Sequence, residues 1–173
     1  FSMKKVVIVG AGLAGSYMAY TLGTKGYSVE VFEKREDPRS ASYGSGRSIN
    51  LVVGHRGWTA LKYAGIEEPI REIVVPAHGR QIHDIEGNES YFPYSIKGKA
   101  IHSISRSEFN KKLVELADSL PNVNLHFNTS CSGVDTKAGI AYFNNNEGPI
   151  EVKADLIVGA DGAGSAVRKS LQG

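Results

Sequence analysis

At 173 residues the chain is long enough for one domain of ordinary size, or for part of a larger one. Twenty basic against eighteen acidic residues give a formal net charge of +2, which excludes a global field directed at nucleic acid or an anionic membrane. The single cysteine, Cys131, excludes an intrachain disulfide and fits a reducing compartment, so the cytoplasm is the expected location. No apolar run approaches the ~20 residues that a membrane helix needs.

Phe1-Ser2 precede Met3 and are set aside from fold reasoning. Lys4-Lys5 followed by apolar residues resembles the start of a secretory signal, but glycines break the run and no cleavage site stands clear of them. Val6-Val7-Ile8-Val9 shows no alternation, as expected for a parallel strand buried on both faces. It opens onto Gly10-Ala11-Gly12-Leu13-Ala14-Gly15, a G-x-G-x-x-G turn. In such a turn Gly10 makes the tight bend, Gly12 lets backbone approach a pyrophosphate, and Gly15 lets the helix pack on the strand. Leu13 to Leu22 is the predicted helix, its N-terminus facing the phosphates, and Lys25-Gly26 closes it. Tyr27 to Phe32 is the next strand, ending at Glu33, eighteen positions after Gly15, where an acid can hydrogen-bond a ribose diol. A glycine triplet alone is an ordinary turn. Strand, triplet, helix, second strand and acid in this order predict a dinucleotide site.

Arg35 to Ser48 is polar and rich in Ser, Gly and Arg, hence a loop. Ile49 to Val53 is a short strand, and Arg56 to Ala64 a short helix stopped by Gly65. A hairpin is predicted from Gly79 to Ile85 and Ser90 to Tyr94. Ser105 to Leu120 is the clearest helix, with a Ser105/Glu108 capping box, an apolar stripe of Phe109, Leu113, Leu116, Ala117 and Leu120, and Pro121 as its stop. Arg106 is then the first helical residue, where the helix dipole disfavours a cation by a few tenths to ~1 kcal/mol. Something anionic is expected to compensate, and a phosphate or a surface carboxylate would serve equally. Val123 to Phe127 is a strand, a polar meander follows through Val134, Ile140 to Phe143 and Ile150 to Val152, and Asp155 to Val158 is a second apolar strand. The latter ends in Gly159-Ala160-Asp161-Gly162 before a helix from Ser165, repeating the outline of the N-terminal strand and turn. Two parallel strands emptying into one crevice are expected, where open α/β sheets bind ligands.

In Gly46-Arg47-Ser48-Ile49-Asn50-Leu51, His55-Arg56-Gly57, Arg80-Gln81-Ile82-His83, Ser105-Arg106 and Asp155 to Gly162 the chain resembles the flavin-dependent aromatic hydroxylases. Within them it is similar to the members that act on kynurenine. The likeness runs over almost the whole length, and Phe32-Glu33-Lys34-Arg35-Glu36-Asp37-Pro38-Arg39 belongs to it. The resemblance implies an α/β fold: an FAD/NAD(P)-binding, Rossmann-like domain with a parallel sheet, to which about residues 76–104 add the start of an antiparallel substrate-domain sheet. It implies FAD as cofactor and NADPH as co-substrate. FAD would be held around Gly10, Gly12, Ala14, Gly15, Glu33, Lys34, Arg35, Val52, Arg106, Cys131 and Asp161. Val52 stands where alanine is usual, and Cys131 replaces a common leucine. Arg80 and Tyr94 would hold the amino-acid carboxylate of the substrate, an arginine fork matching a carboxylate in two bonds. A two-residue Gly87-Asn88 turn would put Arg80 opposite Ser95 and Tyr94 on the other face. A three-residue loop, Glu86-Gly87-Asn88, pairs Ile85 with Glu89 and puts Arg80 directly across from Tyr94, so the odd-length loop is expected. The reaction implied is hydroxylation by oxygen at the ring carbon next to the aromatic amine.

Other residues read as bland. The five histidines show no metal-ligand spacing, Trp58 and Tyr63 read as packing groups, and Lys111-Lys112 as an exposed helix face. Cys131 reads from the sequence as a small buried hydrophobe. No Gly-Asp dipeptide occurs, although the family has a second flavin motif containing one, so the chain is expected to be an N-terminal portion that does not turn over by itself. A dinucleotide-binding module using NAD without catalysis, or a flavin oxidoreductase of the same fold with another substrate, remain open on the sequence.

Overall fold

The computed structural model describes residues 4–40 and 49–172. Gly46, Arg47 and Ser48 of the motif above, with the second half of the polar loop, lie outside the described residues. In chain order the first elements are β1 (Lys5–Val9), α1 (Leu13–Thr24), β2 (Ser28–Phe32), β3 (Asn50–Val53), α2 (His55–Tyr63), α3 (Glu67–Arg71), β4 (Val75–Ala77), β5 (Gly79–His83) and β6 (Glu89–Pro93). They continue with β7 (Ile101–Ser105), α4 (Arg106–Asp118), β8 (Val123–His126), β9 (Ser130–Asp135), β10 (Ile140–Asn145), β11 (Gly148–Lys153), β12 (Leu156–Gly159) and α5 (Ala166–Gln172). Two compact units result, one of Phe1–Ser45 with Asn110–Gly173, the other of Gly46–Phe109.

The first unit is built on a parallel sheet in the order β12-β1-β2-β8. Val6 to Val9 at its centre are at most 3% exposed, which explains an apolar run without alternation. Val6, Ile8, Val29 and Val31 pack on one face with Ala19 of α1, Ala117 of α4 and Val123. Val7, Val9 and Phe32 pack on the other with Ala141, Phe143 and Val152 of the antiparallel sheet β11-β10-β9 and Val167 of α5. Each fully buried side chain of this size stabilises by about 1.5–3 kcal/mol, so both layers are needed to hold β1. The buried stripe of α4 is Asn110, Leu113, Val114 and Ala117, at the helical spacing expected although centred one residue off the predicted set. Lys111 and Lys112 beside it are half-buried, not an exposed face.

The second unit holds the antiparallel sheet β3-β7-β4 and the separate hairpin β5-β6. Leu61, Ile66, Ile70 and Ile104 are buried, and Gly65 at φ +72 ends α2 as its position predicts. Trp58 packs edge-on to His102 with ring centres 5.2 Å apart, and the Arg71 guanidinium lies 4.4 Å over it. Tyr63, the last residue of α2, is 69% exposed and so lies outside the core. The capping box is corrected. Ser105 is the last residue of β7, and its hydroxyl meets Ser107 Oγ at 2.8 Å instead of the Glu108 amide.

Candidate functional site

In the first unit the glycine turn leaves β1 at Gly10, whose N–H donates to Phe32 O at 2.7 Å and whose φ is +101. A Cβ on Gly10 would stand 2.5 Å from Ala160 O, and one on Gly15 only 1.8 Å from Gly10 O. The exit of β1 is therefore packed backbone to backbone both on the exit of β12 and on the first turn of α1. Gly12 differs: a Cβ there would meet nothing within 4 Å. It is the N-cap of α1, which has no side-chain cap bond and no acidic residue in its first turn. The twelve-residue helix thus starts without a side-chain cap at a residue with room beside its Cα, and Ala14 in its first turn is exposed.

Glu33 closes the other side. Only 6% exposed, it accepts from the Ala11 amide through Oε2 at 2.8 Å, and from the Arg35 amide and Nε through Oε1 at 3.0 and 2.9 Å. Burial raises its pKa, but the Arg35 side chain and the Ala11 and Arg35 amides outweigh it and hold the carboxyl below the ordinary 4.5. Main-chain bonds from Thr129 N to Glu33 O at 2.9 Å and from Asn128 N to Arg35 O at 3.0 Å fix the same segment. Lys34 is exposed, and the Arg35 side chain is half-exposed. Arg35 is a near neighbour of Glu33 in sequence, but the Ala11, Asn128 and Thr129 partners could not be read there, since they lie far along the chain.

Asp161 follows β12. Its carboxylate accepts from Ser165 Oγ at 2.6 Å and from the Ala166 and Val167 amides at 2.7 and 3.3 Å, so it caps α5. Burial raises its pKa, yet the bonds from Ser165, Val167 and Ala166 leave it lowered. Asp161→Ala is expected to cost about 1 kcal/mol in urea denaturation. Unchanged stability would show that the cap is idle. Cys131 in β9 is half-buried against the second core cluster, its thiol pushed up by burial. No cluster of metal-ligating side chains occurs among the described residues. Nor is any described helix long and apolar enough to cross a membrane.

In the second unit Val52 is 56% exposed on β3. Arg106 is the first residue of α4, its N–H donating to Ile49 O at 2.9 Å, and no ion-pair partner for its side chain occurs among the described residues. The surface carboxylate that would have explained a cation at this helix start is therefore missing among them. On the hairpin, Arg80 pairs with Phe92 and lies 5.6 Å from the centre of its ring. The expected placement of Arg80 directly across from Tyr94 is corrected. The loop has the expected odd length but runs over Asp84–Asn88, with His83 paired to Glu89. Asp84 Oδ1 accepts from the Glu86 and Asn88 amides at 2.9 and 2.8 Å, closing the loop before Ile85 can pair. Tyr94 lies just past β6 and donates its N–H to His78 O at 2.9 Å. By the alternation of strands Arg80, Phe92 and Tyr94 still belong to one face, with Tyr94 diagonal to Arg80.

A parallel strand opening through a packed glycine turn onto an uncapped helix N-terminus, with a buried acid at the end of the next strand, defines a dinucleotide-binding α/β unit. The model of the family described as FAD binding domain matches residues 3–173, and the chain belongs to this family. It is 44% identical over 172 residues to the kynurenine 3-monooxygenase of Christiangramia forsetii, covering 98% of this chain and 38% of that protein. Identity to the kynurenine 3-monooxygenase of Drosophila melanogaster is 37% over 169 residues, covering 96% and 36%. The chain thus spans less than two-fifths of the length of these curated relatives. Among solved structures, the tetrameric form of 2-methyl-3-hydroxypyridine-5-carboxylic acid oxygenase superposes with a TM-score of 0.75 at 25% identity, over 99% of this chain and 43% of the other. The p-nitrophenol 4-monooxygenase of Pseudomonas putida, at TM-score 0.77 and 22% identity over 98% and 43%, shares the fold.

Proposed function

We propose that the chain is the N-terminal, FAD-holding portion of an FAD-dependent monooxygenase that hydroxylates L-kynurenine to 3-hydroxykynurenine with NADPH and oxygen, and that works in the cytoplasm. The observation that carries the cofactor reading is the open approach at Gly12 to an uncapped α1 N-terminus, with the Glu33 carboxylate across from it. Such a pair of features suits a pyrophosphate and the ribose next to it. The choice of substrate is supported by the likeness to kynurenine 3-monooxygenases along nearly the whole chain.

On this reading the amides past Gly10, Gly12, Ala14 and Gly15 hold the pyrophosphate, Glu33 the adenosine ribose, and Lys34 and Arg35 the neighbouring polar atoms. Arg106 takes a phosphate or the ribityl chain, for which its lack of a described carboxylate partner leaves it available. Val52, Cys131 and Asp161 contribute further contacts. When bound, FAD supplies the oxygen chemistry. The chain's own task is to bind and orient: Arg80 and Tyr94, with residues 76–104 as the beginning of the substrate sheet, grip the substrate carboxylate and fix which ring carbon is presented. The aromatic amine already activates the carbon beside it, so no protein base is needed.

Kynurenine-stimulated oxidation of NADPH by the full-length protein, with 3-hydroxykynurenine as product, is the expected result. NADPH oxidation indifferent to kynurenine would refute the substrate. Arg80→Ala should raise KM for kynurenine by about tenfold or more, the loss of a charge-assisted bond worth roughly 1.5–3 kcal/mol. An unaltered KM would take Arg80 out of the site.

A further inference from the structure

The segment after Glu33 is fastened at a second point that the cofactor reading does not use. Arg39 grips Asp37 through a fork: Nε stands 2.9 and 3.1 Å from the two carboxylate oxygens, and Nη2 stands 2.7 Å from Oδ2. The Arg39 amide donates to Asp37 Oδ1 at 2.9 Å, and the Ser40 amide and hydroxyl both reach Asp37 O, at 3.0 and 2.8 Å. These bonds wind residues 37–40 into a turn around Pro38, which is buried. The remaining arm of the guanidinium, Nη1, lies 2.6 Å from Oδ2 of Asp118, the last residue of α4, 79 positions away. A carboxylate at a helix C-terminus is disfavoured by the helix dipole, and Arg39 is the cation that offsets it.

An isolated surface ion pair would contribute little. Here, however, one arginine with a side chain 28% exposed bridges two carboxylates, and its planar fork fixes the geometry as a lysine could not. The bonds around Arg39 hold that arginine charged and depress the Asp37 carboxyl. Residues 33–40 are thus held at their start by the main chain of Asn128 and Thr129, and at Arg39 by a helix whose other side is in the core. Lys34 and Arg35 sit at the first anchor, and the turn Asp37–Ser40 begins after only one intervening residue, so the second anchor holds the same short segment from its far side.

We propose that Arg39 is a positioning residue of the cofactor site: by tying the turn Asp37–Ser40 to the end of α4 it fixes the loop that carries Lys34 and Arg35, and so strengthens FAD binding through that loop. The inference rests on the FAD reading above. Without the tie, the loop would be ordered only at the expense of binding free energy.

The test uses the full-length protein, freed of flavin and titrated with FAD by the quenching of flavin fluorescence. Arg39→Ala should raise Kd for FAD by about tenfold, the cost of ordering one or two side chains. Arg39→Lys should restore only part of the affinity, and Asp118→Ala should act in the same direction as Arg39→Ala. In an Arg35→Ala background the effect of Arg39→Ala should shrink markedly, since the two act through one loop. A merely stabilising ion pair would lower the melting temperature and add independently to Arg35→Ala. Hydrogen exchange of amides 35–40, measured without FAD, should quicken in Arg39→Ala. A wild-type protein that binds FAD while Arg39→Ala leaves Kd or loop exchange unchanged overturns the positioning role alone. Failure of the wild type to bind FAD overturns the cofactor reading and this role together.

Discussion

Gly15→Ala is expected to prevent the first unit from folding, while Gly12→Ala should leave the fold intact and damage only ligand binding. The added methyl at residue 15 would stand 1.8 Å from the carbonyl oxygen of Gly10. Neither backbone can withdraw, because Gly10 is itself so close to Ala160 that a Cβ on it would stand 2.5 Å from Ala160 O, and its N–H is bonded to Phe32 O. Displacing two buried backbone segments places the change in the uncommon range of roughly 4 kcal/mol or more. At Gly12, with φ −73 and open space, stability should stay within about 0.5 kcal/mol. On the proposed reading the Kd for FAD should nevertheless rise at least about tenfold, since the methyl would occupy the approach proposed for the pyrophosphate. Circular dichroism with urea titration reads the first quantity and flavin fluorescence the second. A stable Gly15→Ala protein would refute the packing described, and a Gly12→Ala protein with native FAD affinity would refute the phosphate approach.

Glu33→Ala should be nearly as damaging by a different route. Its removal leaves the Ala11 amide and two donors of Arg35 without their acceptor in a site only 6% exposed, at about 1–3 kcal/mol for the buried donor. Glu33→Gln keeps the shape and one acceptor, so it should fold while binding FAD more weakly. Full flavin affinity in Glu33→Gln would remove this residue from the ribose. The carboxyl's pKa is lowered in the folded chain, so ionised Glu33 contributes stability that is fully present above the ordinary 4.5 and is lost as pH falls through the folded value. Asp37 and Asp161 are shifted in the same direction and add to the same acid-side loss. In Glu33→Gln the acid-side slope of stability against pH should flatten, and a slope equal to that of the wild type would contradict the assignment.

The βαβ unit was legible because its information is local. The unbroken run Val6 to Val9, the glycine spacing and the strand-end acid each sit within thirty-three residues of the N-terminus, and α1 and β2 fall where they direct. The hairpin was legible in parity but not in register. Its loop is set by the Asp84 carboxylate capturing two amides, a choice between neighbouring turn geometries that composition does not decide. Trp58 and Tyr63 read alike as packing groups in the sequence, but Trp58 packs against His102 and Arg71 while Tyr63 stays 69% exposed, since the face of a nine-residue helix depends on what lies beside it. Likewise, no local pattern announces that Arg39 meets Asp118 or that Glu33 reaches the Ala11 amide, because those pairs exist only once the sheet order brings distant segments together.

The close contact of Gly10 with Ala160 has a consequence for the timing of assembly. β1 is flanked by β2, its near neighbour in sequence, and by β12, whose ladder begins beside the bond from the Lys5 amide to Asp155 across 150 residues. The whole of the second unit is synthesised between those two neighbours. A nascent chain that has passed residue 33 already holds every residue of the glycine turn and its acid, yet one wall of that turn is still unmade. The site therefore closes late, by a long-range parallel pairing of the slow kind. Until then the apolar edge of β1 is exposed, and it is this stage of synthesis that is most open to aggregation.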